Sequence, residues 1–302
     1  MKNKPKLIIC IGTQKAGTSW LNSYLIQQNL CFNYENEKEL HLWNSYYSGD
    51  RNHRKKLFLS SFKKLFNIGS FSRQDYIALT KQFNLLINTF YPRRFLNIAS
   101  SECKIRNMPI SDFTPNYCSL NSKFLNKMRI EVEQFFDLKI IFIMRDPIQR
   151  IYSWIKHSKR MERGYTFEKW KSKYRGLKLP EDLYHNVVVN FLKWNKPFDK
   201  SYTFALTNYP QIIDDLNSNF KKNQVKILYY EKLFSTNSIK SLCSFLDIEY
   251  KKPNFSQMVN QDLKSEPITL KDHILLLNQT KQIYKEMYFR YKDVPPEWGV
   301  FR

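Results

Sequence analysis

The feature that most constrains this chain is the stretch Lys6–Leu25, KLIICIGTQKAGTSWLNSYL, near its start. Leu7–Ile11 is a short apolar run that is typical of a fully buried strand. Gly12–Gly17 reads as a loop, and apolar residues return at helical spacing from Thr18 onward. Backbone N–H groups converge at such a loop, and the helix dipole adds positive potential. The stretch therefore predicts a strand, loop and helix that together bind an anion.

This loop differs at one position from the nucleotide-binding loop G-x-x-x-x-G-K-[ST]. Gly12 and Gly17 have the same spacing, but Thr18 stands where that motif has its lysine, and Lys15 is the only lysine in the loop. A kinase or ATPase needs the missing lysine on the β- and γ-phosphates and a hydroxyl on Mg²⁺. We therefore expect Lys15 to reach the anion from another direction. A nucleotide-dependent kinase and an ordinary strand–turn–helix with incidental glycines stay open as alternatives.

A second anion-binding segment is predicted around Lys139–Arg145, KIIFIMR, which is the clearest strand pattern in the chain. Pro147 is typical of a first helical turn, so a helix should follow. Arg145 and Ser153 would then face one crevice, since eight residues are close to two helical turns. A guanidinium and a hydroxyl suit a phosphate. An arginine paired with its own neighbour Asp146 explains the same pattern.

Two candidate general bases, Glu39 and His41, follow a short predicted strand, Cys31–Tyr34. Ligands of open parallel sheets bind beyond the carboxyl ends of the strands. A carboxylate or an imidazole at that place can take a proton from a substrate. A solvated loop with a half-buried histidine is the competing interpretation, because such residues are common on surfaces.

Weaker patterns complete an alternation of strands and helices, with no internal repeat, linker or break in composition. The chain is therefore predicted to be one domain over residues 1–302. The other predicted elements are helices over Tyr76–Asn88, Lys123–Phe136, Leu183–Trp194, Tyr209–Phe220, Ser238–Leu246 and Lys271–Arg290, strands over Asn97–Lys104 and Val225–Glu231, and a turn over Ser111–Tyr117.

The formal net charge of +22 favours a polyanionic ligand such as nucleic acid, anionic lipid, acidic glycan or a multiply phosphorylated cofactor. Solvated basic faces that follow from a compositional bias explain the charge equally well. The basic segment Arg51–Phe66 could contact a membrane or an anionic substrate, although an amphipathic packing helix is the favoured interpretation.

Metal binding and membrane spanning are not predicted. The five cysteines are scattered and show no C-x-x-C spacing. No apolar run reaches the length of a membrane span. The first predicted strand begins within a few residues of Met1, which leaves no room for a signal peptide, so we expect a cytoplasmic protein.

Four separated segments together resemble the family of sulfotransferases that use 3′-phosphoadenosine 5′-phosphosulfate (PAPS). IGTQKAGTSWL is similar to the family's 5′-phosphosulfate loop, and IIFIMRDPIQRIYSWIKH is similar to its 3′-phosphate segment R-[DN]-P-x-x-R-x-x-S. KELHLW resembles K-E-x-H-F-F, with Leu42 and Trp43 in place of the phenylalanines. DFTPNY resembles E-x-[ST]-P-x-Y, with Asp112 in place of glutamate. The resemblance runs from residue 6 to the end, apart from a variable insertion at about residues 46–97.

The resemblance implies a P-loop-like three-layer α/β sandwich, in which helices flank a central, mostly parallel sheet and PAPS lies across the strand ends. It implies that Glu39 accepts the proton of the acceptor hydroxyl, that His41 orients it or is the alternative base, and that Lys15 stabilises the leaving group without a metal. The residues implied to bind PAPS are Lys15, Ala16, Gly17, Thr18, Ser19, Trp20, Arg145, Ser153 and Tyr209.

The E-x-H variant resembles the glycan-modifying and bacterial branch, so a carbohydrate hydroxyl is the first expectation for the acceptor. Lipid, phenol and polyketide acceptors stay open. The unmatched basic segment Arg51–Lys64 would either line a cleft for an anionic glycan or form a solvated basic face. A nucleotide-dependent kinase is the main alternative function. A nucleic-acid-binding protein is the weaker one, because no recognised motif of that type is present.

Overall fold

A parallel sheet with the first strand at its centre organises the fold. The computed structural model describes residues 4–47, 53–55, 57–59, 73–162, 181–257 and 268–299. The five strands of the sheet are β1 (Lys6–Gly12), β2 (Phe32–Asn33), β3 (Ile110–Asp112), β4 (Asp137–Met144) and β5 (Val225–Tyr229). Their order is β2-β3-β1-β4-β5, and all four pairings are parallel. Parallel neighbours need crossover connections, which helices supply here.

Helices cover both faces of this sheet, and short 3₁₀ turns join several of them. The helices are α1 (Thr18–Gln27), α2 (Leu42–Tyr47), α3 (Arg73–Phe90), α4 (Pro92–Arg106), α5 (Ser122–Glu133), α6 (Pro147–Glu162), α7 (Glu181–Trp194), α8 (Tyr202–Ala205), α9 (Tyr209–Asn219), α10 (Tyr230–Leu233), α11 (Thr236–Leu246) and α12 (Leu270–Arg290). The 3₁₀ turns are Tyr34–Asn36, Pro115–Ser119, Phe198–Lys200, Lys222–Gln224 and Pro296–Trp298.

Alternate residues of β1 belong to two separate hydrophobic cores, because successive side chains of a strand point to opposite faces. Leu7, Ile9 and Ile11 pack into the larger core, to which α4, α5, α6, α9 and α12 contribute. Ile8 and Cys10 pack into the smaller core with residues of α1 and α11. The result is a layer of helices on each side of the sheet. This confirms the predicted α/β sandwich.

The predicted strand Asn97–Lys104 is wrong, because these residues lie within α4. That helix begins with Pro92 at its first turn, and its buried positions include Phe95, Ala99 and Cys103, which repeat at helical spacing. The strand missing from the sequence-based assignment is β3, which begins at Ile110 and overlaps the segment predicted as a turn. With three residues it is too short to show a period of its own.

The remaining predicted elements within the described residues are confirmed, with ends that differ by a few residues. Pro147 begins α6 as expected, and the predicted helix Lys271–Arg290 corresponds to α12. No described helix has both the length and the apolar character needed to cross a membrane.

Candidate active site at the carboxyl edge of the sheet

The loop between β1 and α1 has a backbone that requires its two glycines. Gly17 caps α1 with φ of 82°, in the left-handed region, and a Cβ atom there would meet Leu233 Cδ2 at 3.0 Å. Gly12 has φ of 139°, and a Cβ atom there would lie 2.6 Å from the carbonyl oxygen of Pro115. The glycine spacing seen in the sequence is therefore set by backbone conformation and by close packing.

The N-terminus of α1 presents backbone donors to this loop. The first intrahelical bond runs from Leu21 N to Gly17 O at 3.1 Å. The N–H groups of Thr18, Ser19 and Trp20 precede that bond, so they have no carbonyl partner inside the helix. Gly17 supplies no side-chain cap, and the first turn of α1 contains no acidic residue. These donors, together with the positive end of the helix dipole, suit an oxyanion.

The start of the loop is anchored to its neighbours on two sides. Thr13 N donates to the Ile143 carbonyl oxygen of β4 at 2.8 Å. Its hydroxyl donates to the Leu206 carbonyl oxygen, also at 2.8 Å. The Gln14 side-chain amide donates to Asn116 Oδ1. The loop is thus held in place before any ligand arrives.

Arg145, from the second predicted anion-binding segment, reaches this loop. Its Nη1 donates to the Lys15 carbonyl oxygen at 2.9 Å, and its guanidinium carbon lies 4.5 Å from the centre of the Tyr230 ring. Tyr209 holds the backbone of the same arginine by donating its hydroxyl to the Arg145 carbonyl oxygen at 2.8 Å. Ser153 lies half-buried on α6, two turns into that helix.

The hydrogen bonds of Asp146 do not support the alternative in which Arg145 pairs with Asp146. Asp146 instead caps α6, since its Oδ1 accepts from Gln149 N at 2.8 Å. Its Oδ2 accepts from the Tyr284 hydroxyl at 2.8 Å. Burial raises the pKa of this carboxyl despite those two hydrogen bonds.

Arg150 is a second buried arginine, to which sequence reasoning gave no role. It is fully buried, and its Nη2 donates to the Thr203 carbonyl oxygen at 2.9 Å and to the Thr207 hydroxyl. Burial lowers the pKa of its guanidinium. Its Nε and Nη1 have no hydrogen-bond partner within the described part of the chain. Arg150 therefore ties α6 to α8 behind the loop.

Glu39 lies between Lys38 and His41. Lys38 Nζ is 2.6 Å from Glu39 Oε1, and His41 Nε2 is 3.3 Å from Glu39 Oε2. Burial by itself would raise the pKa of Glu39, but the His41 hydrogen bond and the Lys38 charge outweigh it and lower this pKa to about 2. The carboxylate is therefore ionised at neutral pH, so it can accept a proton from a substrate.

His41 has a backbone and a ring that are both held from outside its own segment. It adopts φ of 51°, and its N–H donates to the Thr114 hydroxyl at 3.2 Å. Its Nδ1 is 3.3 Å from the Asn44 amide nitrogen, and its ring centre is 4.4 Å from that of His53. Nε2 is thereby turned toward Glu39.

A buried hydrogen-bond network links the segments KELHLW and DFTPNY. Asp112 Oδ1 accepts from Leu40 N at 3.2 Å and from the Thr114 hydroxyl at 2.5 Å. Asp112 Oδ2 accepts from the Tyr117 hydroxyl at 2.7 Å, and that hydroxyl in turn accepts from Leu42 N at 2.9 Å. Burial raises the pKa of Asp112. The network fixes the backbone on the far side of Glu39, and sequence reasoning missed it although it identified both segments.

Three of the expected donor-binding residues have their side chains in the cores. Ala16 and Tyr209 are fully buried. Trp20 is also buried and packs against Phe234, with ring centres 4.9 Å apart, and against Phe255, with ring centres 5.9 Å apart. Of these three residues, only the backbone groups and the Tyr209 hydroxyl could contact a ligand at the loop. Their contact with a donor molecule stays a prediction.

The parts of the site share one edge of the sheet, because parallel strands end at the same edge. The loop follows β1, Arg145 follows β4, and Glu39 and His41 lie beyond β2 and its 3₁₀ turn. This arrangement offers an anion cradle and an ionised carboxylate at the same edge. Among the described residues, no group of three or more His, Cys, Asp or Glu side chains is placed to hold a metal ion.

Comparison with known proteins agrees with this geometry. A family model described as the sulfotransferase domain matches residues 5–293. The fold is similar to that of a sulfotransferase from Alicyclobacillus acidocaldarius, with a TM-score of 0.54 and 17% identity over 98% of this chain and 99% of that one. It is also similar to the sulfotransferase domain of the Synechococcus PCC 7002 olefin synthase, with a TM-score of 0.51 and 17% identity over 98% of each chain.

A search of curated protein sequences found no significant match. The two structural similarities show the fold, and the family model covers nearly the whole chain. The chain belongs to the sulfotransferase domain family.

Proposed function

We propose that this protein transfers the sulfuryl group of PAPS to an acceptor hydroxyl. The observation that carries the proposal is the hydrogen bond from Arg145 to the Lys15 carbonyl oxygen. It joins the segment that resembles a 3′-phosphate site to the loop that resembles a 5′-phosphosulfate site. PAPS has anionic groups at both of these positions, whereas ATP lacks the 3′-phosphate.

The residues present fit such a donor molecule. The free N–H groups at the start of α1 and the lack of an acidic side chain in its first turn suit the 5′ group. The planar guanidinium of Arg145, held over Tyr230, suits a phosphate. Lys15, Ala16, Gly17, Thr18, Ser19 and Trp20 would hold the 5′ end, and Arg145, Ser153 and Tyr209 the 3′ end. When bound, PAPS supplies an activated sulfuryl group.

Glu39 is the proposed general base. Its carboxylate is ionised at neutral pH and can take the proton of the acceptor hydroxyl, and His41, 3.3 Å away, holds the carboxylate in place. A pKa near 2 makes Glu39 a weak base. His41, which lies beside it, is therefore the alternative base. Lys15 would stabilise charge on the leaving group, and no metal is required.

A carbohydrate hydroxyl is the proposed acceptor, on the basis of the resemblance of KELHLW to the glycan-modifying branch. The basic segment Arg51–Lys64 would then attract an anionic glycan. Of the six basic residues in that segment, only Arg54 and Lys55 lie within the described residues.

The proposal is tested by incubating the full chain with sulfur-labelled PAPS and a panel of carbohydrate, lipid, phenol and polyketide acceptors. We expect label on a hydroxyl acceptor together with equal formation of adenosine 3′,5′-bisphosphate, and loss of both products in Lys15→Ala. A parallel reaction uses phosphorus-labelled Mg²⁺-ATP. Label transferred from ATP and not from PAPS would assign the protein to the kinases instead.

A further inference from the structure

The exposed side of α3 carries a row of large apolar side chains. Tyr76, Phe83, Ile87 and Phe90 recur at intervals of three, four or seven residues, so they form one stripe on the helix surface. Their exposure and that of Tyr91, which directly follows the helix, ranges from 36% for Phe83 to 66% for Tyr91. A helix of this length is about 27 Å long. This is a continuous patch rather than a set of scattered apolar residues.

No charge interrupts this stripe. Across α3, which the structure describes in full, every exposed residue from Gln74 to Phe90 is uncharged. The charged residues in that interval, Asp75 and Lys81, are half-buried at the side of the helix, and Lys81 Nζ pairs with Glu37 Oε1 at 2.8 Å. A surface helix ordinarily turns its charged residues toward water and its apolar residues toward the core. In α3 the outward side carries large apolar residues, and beyond Arg73 its exposed polar residues, Gln74 and Thr80, are uncharged.

The neighbouring helical residues 53–55 and 57–59 extend the patch at one end. Arg54 Nη2 donates to the Thr89 carbonyl oxygen at 2.6 Å, and its guanidinium carbon lies 4.1 Å from the centre of the Phe90 ring. Phe58 and Leu59 in this segment are each nearly half exposed. A cationic side chain thus packs against the apolar end of α3.

The positive charge of the chain near this stripe indicates which kind of partner can bind it. Between residues 53 and 94, the part of the chain that the structure describes includes six Lys and Arg but a single acidic residue, Asp75. A second copy would bring the same positive excess against this face, and the whole chain has a net charge of +22, so self-association would be opposed by repulsion. An anionic bilayer is complementary in both respects, since it attracts basic residues and accepts apolar side chains.

We propose that α3 and residues 53–55 and 57–59 form a docking surface for an anionic lipid bilayer. The stripe would lie in the plane of the interface, with Phe83, Ile87 and Phe90 entering the boundary between headgroups and acyl chains. Tyr76 and Tyr91 flank it at the two ends, and tyrosine is favoured at that depth because it has an apolar ring and a polar hydroxyl. The proposal does not depend on the reaction that the protein catalyses.

The test is co-sedimentation of the full chain with vesicles of neutral phosphatidylcholine, or of phosphatidylcholine containing about one third phosphatidylglycerol. We expect binding to the anionic vesicles only, and weaker binding as salt rises, because the attraction is screened. The stripe variant Tyr76→Gln/Phe83→Gln/Ile87→Gln should lower the partition coefficient at least about tenfold, since it removes the inserted apolar area. Glutamine preserves helix propensity at these exposed positions.

The matched control is Ile105→Gln/Ile130→Gln/Phe289→Gln, which removes three exposed apolar side chains from α4, α5 and α12. It should bind the anionic vesicles as the unchanged protein does. Failure of the unchanged protein to bind anionic vesicles, or equal loss in both variants, would overturn the proposal. Light scattering completes the test, because a dimer that only the stripe variant dissociates would assign the face to a second copy instead.

Discussion

Arg145 donates a hydrogen bond to the carbonyl oxygen of Lys15, across 2.9 Å and 130 residues of sequence. The bond ties the end of β4 to the loop that follows β1. Because Tyr209 holds the Arg145 carbonyl oxygen in turn, the position of the guanidinium is set by three separate elements. The proposed sites for the two ends of PAPS are therefore one rigid unit, and a change at Arg145 should disturb both.

The first prediction concerns nucleotide preference. Adenosine 3′,5′-bisphosphate should raise the melting temperature without Mg²⁺. At one hundred times its Kd, its binding stabilises the folded state by about 2.7 kcal/mol. ATP should raise the melting temperature much less. Arg145→Ala should remove most of this preference, since it deletes the guanidinium. Thermal melts with each nucleotide provide the measurement. Arg106→Ala, on the exposed side of α4, is the control and should leave the preference intact. Equal stabilisation by Mg²⁺-ATP would favour a kinase.

The second prediction concerns the proposed base. Glu39→Gln nearly preserves shape but cannot take a proton, so turnover should fall by about 10²- to 10⁴-fold. Binding of adenosine 3′,5′-bisphosphate, measured by calorimetry, should not change, because the proposed role of Glu39 is toward the acceptor and not the nucleotide. His41→Ala should lower turnover less. If His41→Ala abolishes turnover while Glu39→Gln retains it, the two roles are reversed.

The third prediction concerns stability at low pH. The pKa of Glu39 is lowered from an ordinary 4.5 to about 2 in the folded state by its pairing with His41 and Lys38. A lowered pKa stabilises the fold above pH 4.5, and this contribution is lost as the pH falls toward 2. The melting temperature of the unchanged protein should therefore fall more steeply between pH 5 and pH 2.5 than that of Glu39→Gln. Parallel pH profiles of the two proteins would refute the pairing.

The fourth prediction concerns the buried network at the end of β3. Asp112→Ala removes the acceptor for Leu40 N and for the Thr114 and Tyr117 hydroxyls, so unfolding free energy should fall by about 3 kcal/mol. Urea denaturation measures this change. Tyr117→Phe should lower it by about 1–2 kcal/mol, since it removes one hydroxyl from the same network.

Asp199→Ala is the control for that measurement, because Asp199 is exposed in a 3₁₀ turn. It should change the free energy of unfolding by less than about 0.5 kcal/mol. An Asp112→Ala effect no larger than this control would mean that the network contributes nothing to stability.

Sequence patterns were sufficient where local chemistry decides the structure. The glycines of the first loop indicate a special backbone conformation, since only glycine adopts φ near 140° without strain. The continuous apolar run of β4 and Pro147 at the start of α6 are equally local signals. These elements also position Lys15 and Arg145, so the places of these two residues in the fold could be predicted.

The remainder depends on contacts between distant residues, which a pattern does not contain. The short strand β3 exists because Ile110 pairs with both Leu7 and Phe32, and its own three residues show no period. Asp112 and Arg150 look like surface residues by type, yet the fold buries both. The pKa of Glu39 likewise follows from the approach of His41 and Lys38, which the backbone of the loop determines.

The central place of β1 in the sheet has a consequence for synthesis of the chain. β1 leaves the ribosome before its sheet partners, because Leu7 pairs with Ile110 on one side and with Leu138 on the other. At about 5–20 residues/s, the strand must wait on the order of 10 s before both partners have been made. During that interval an apolar segment with unpaired edges is open to wrong association. Slower translation of the codons between β1 and β4 would lengthen this exposure, and a chaperone that binds nascent apolar segments would shorten it.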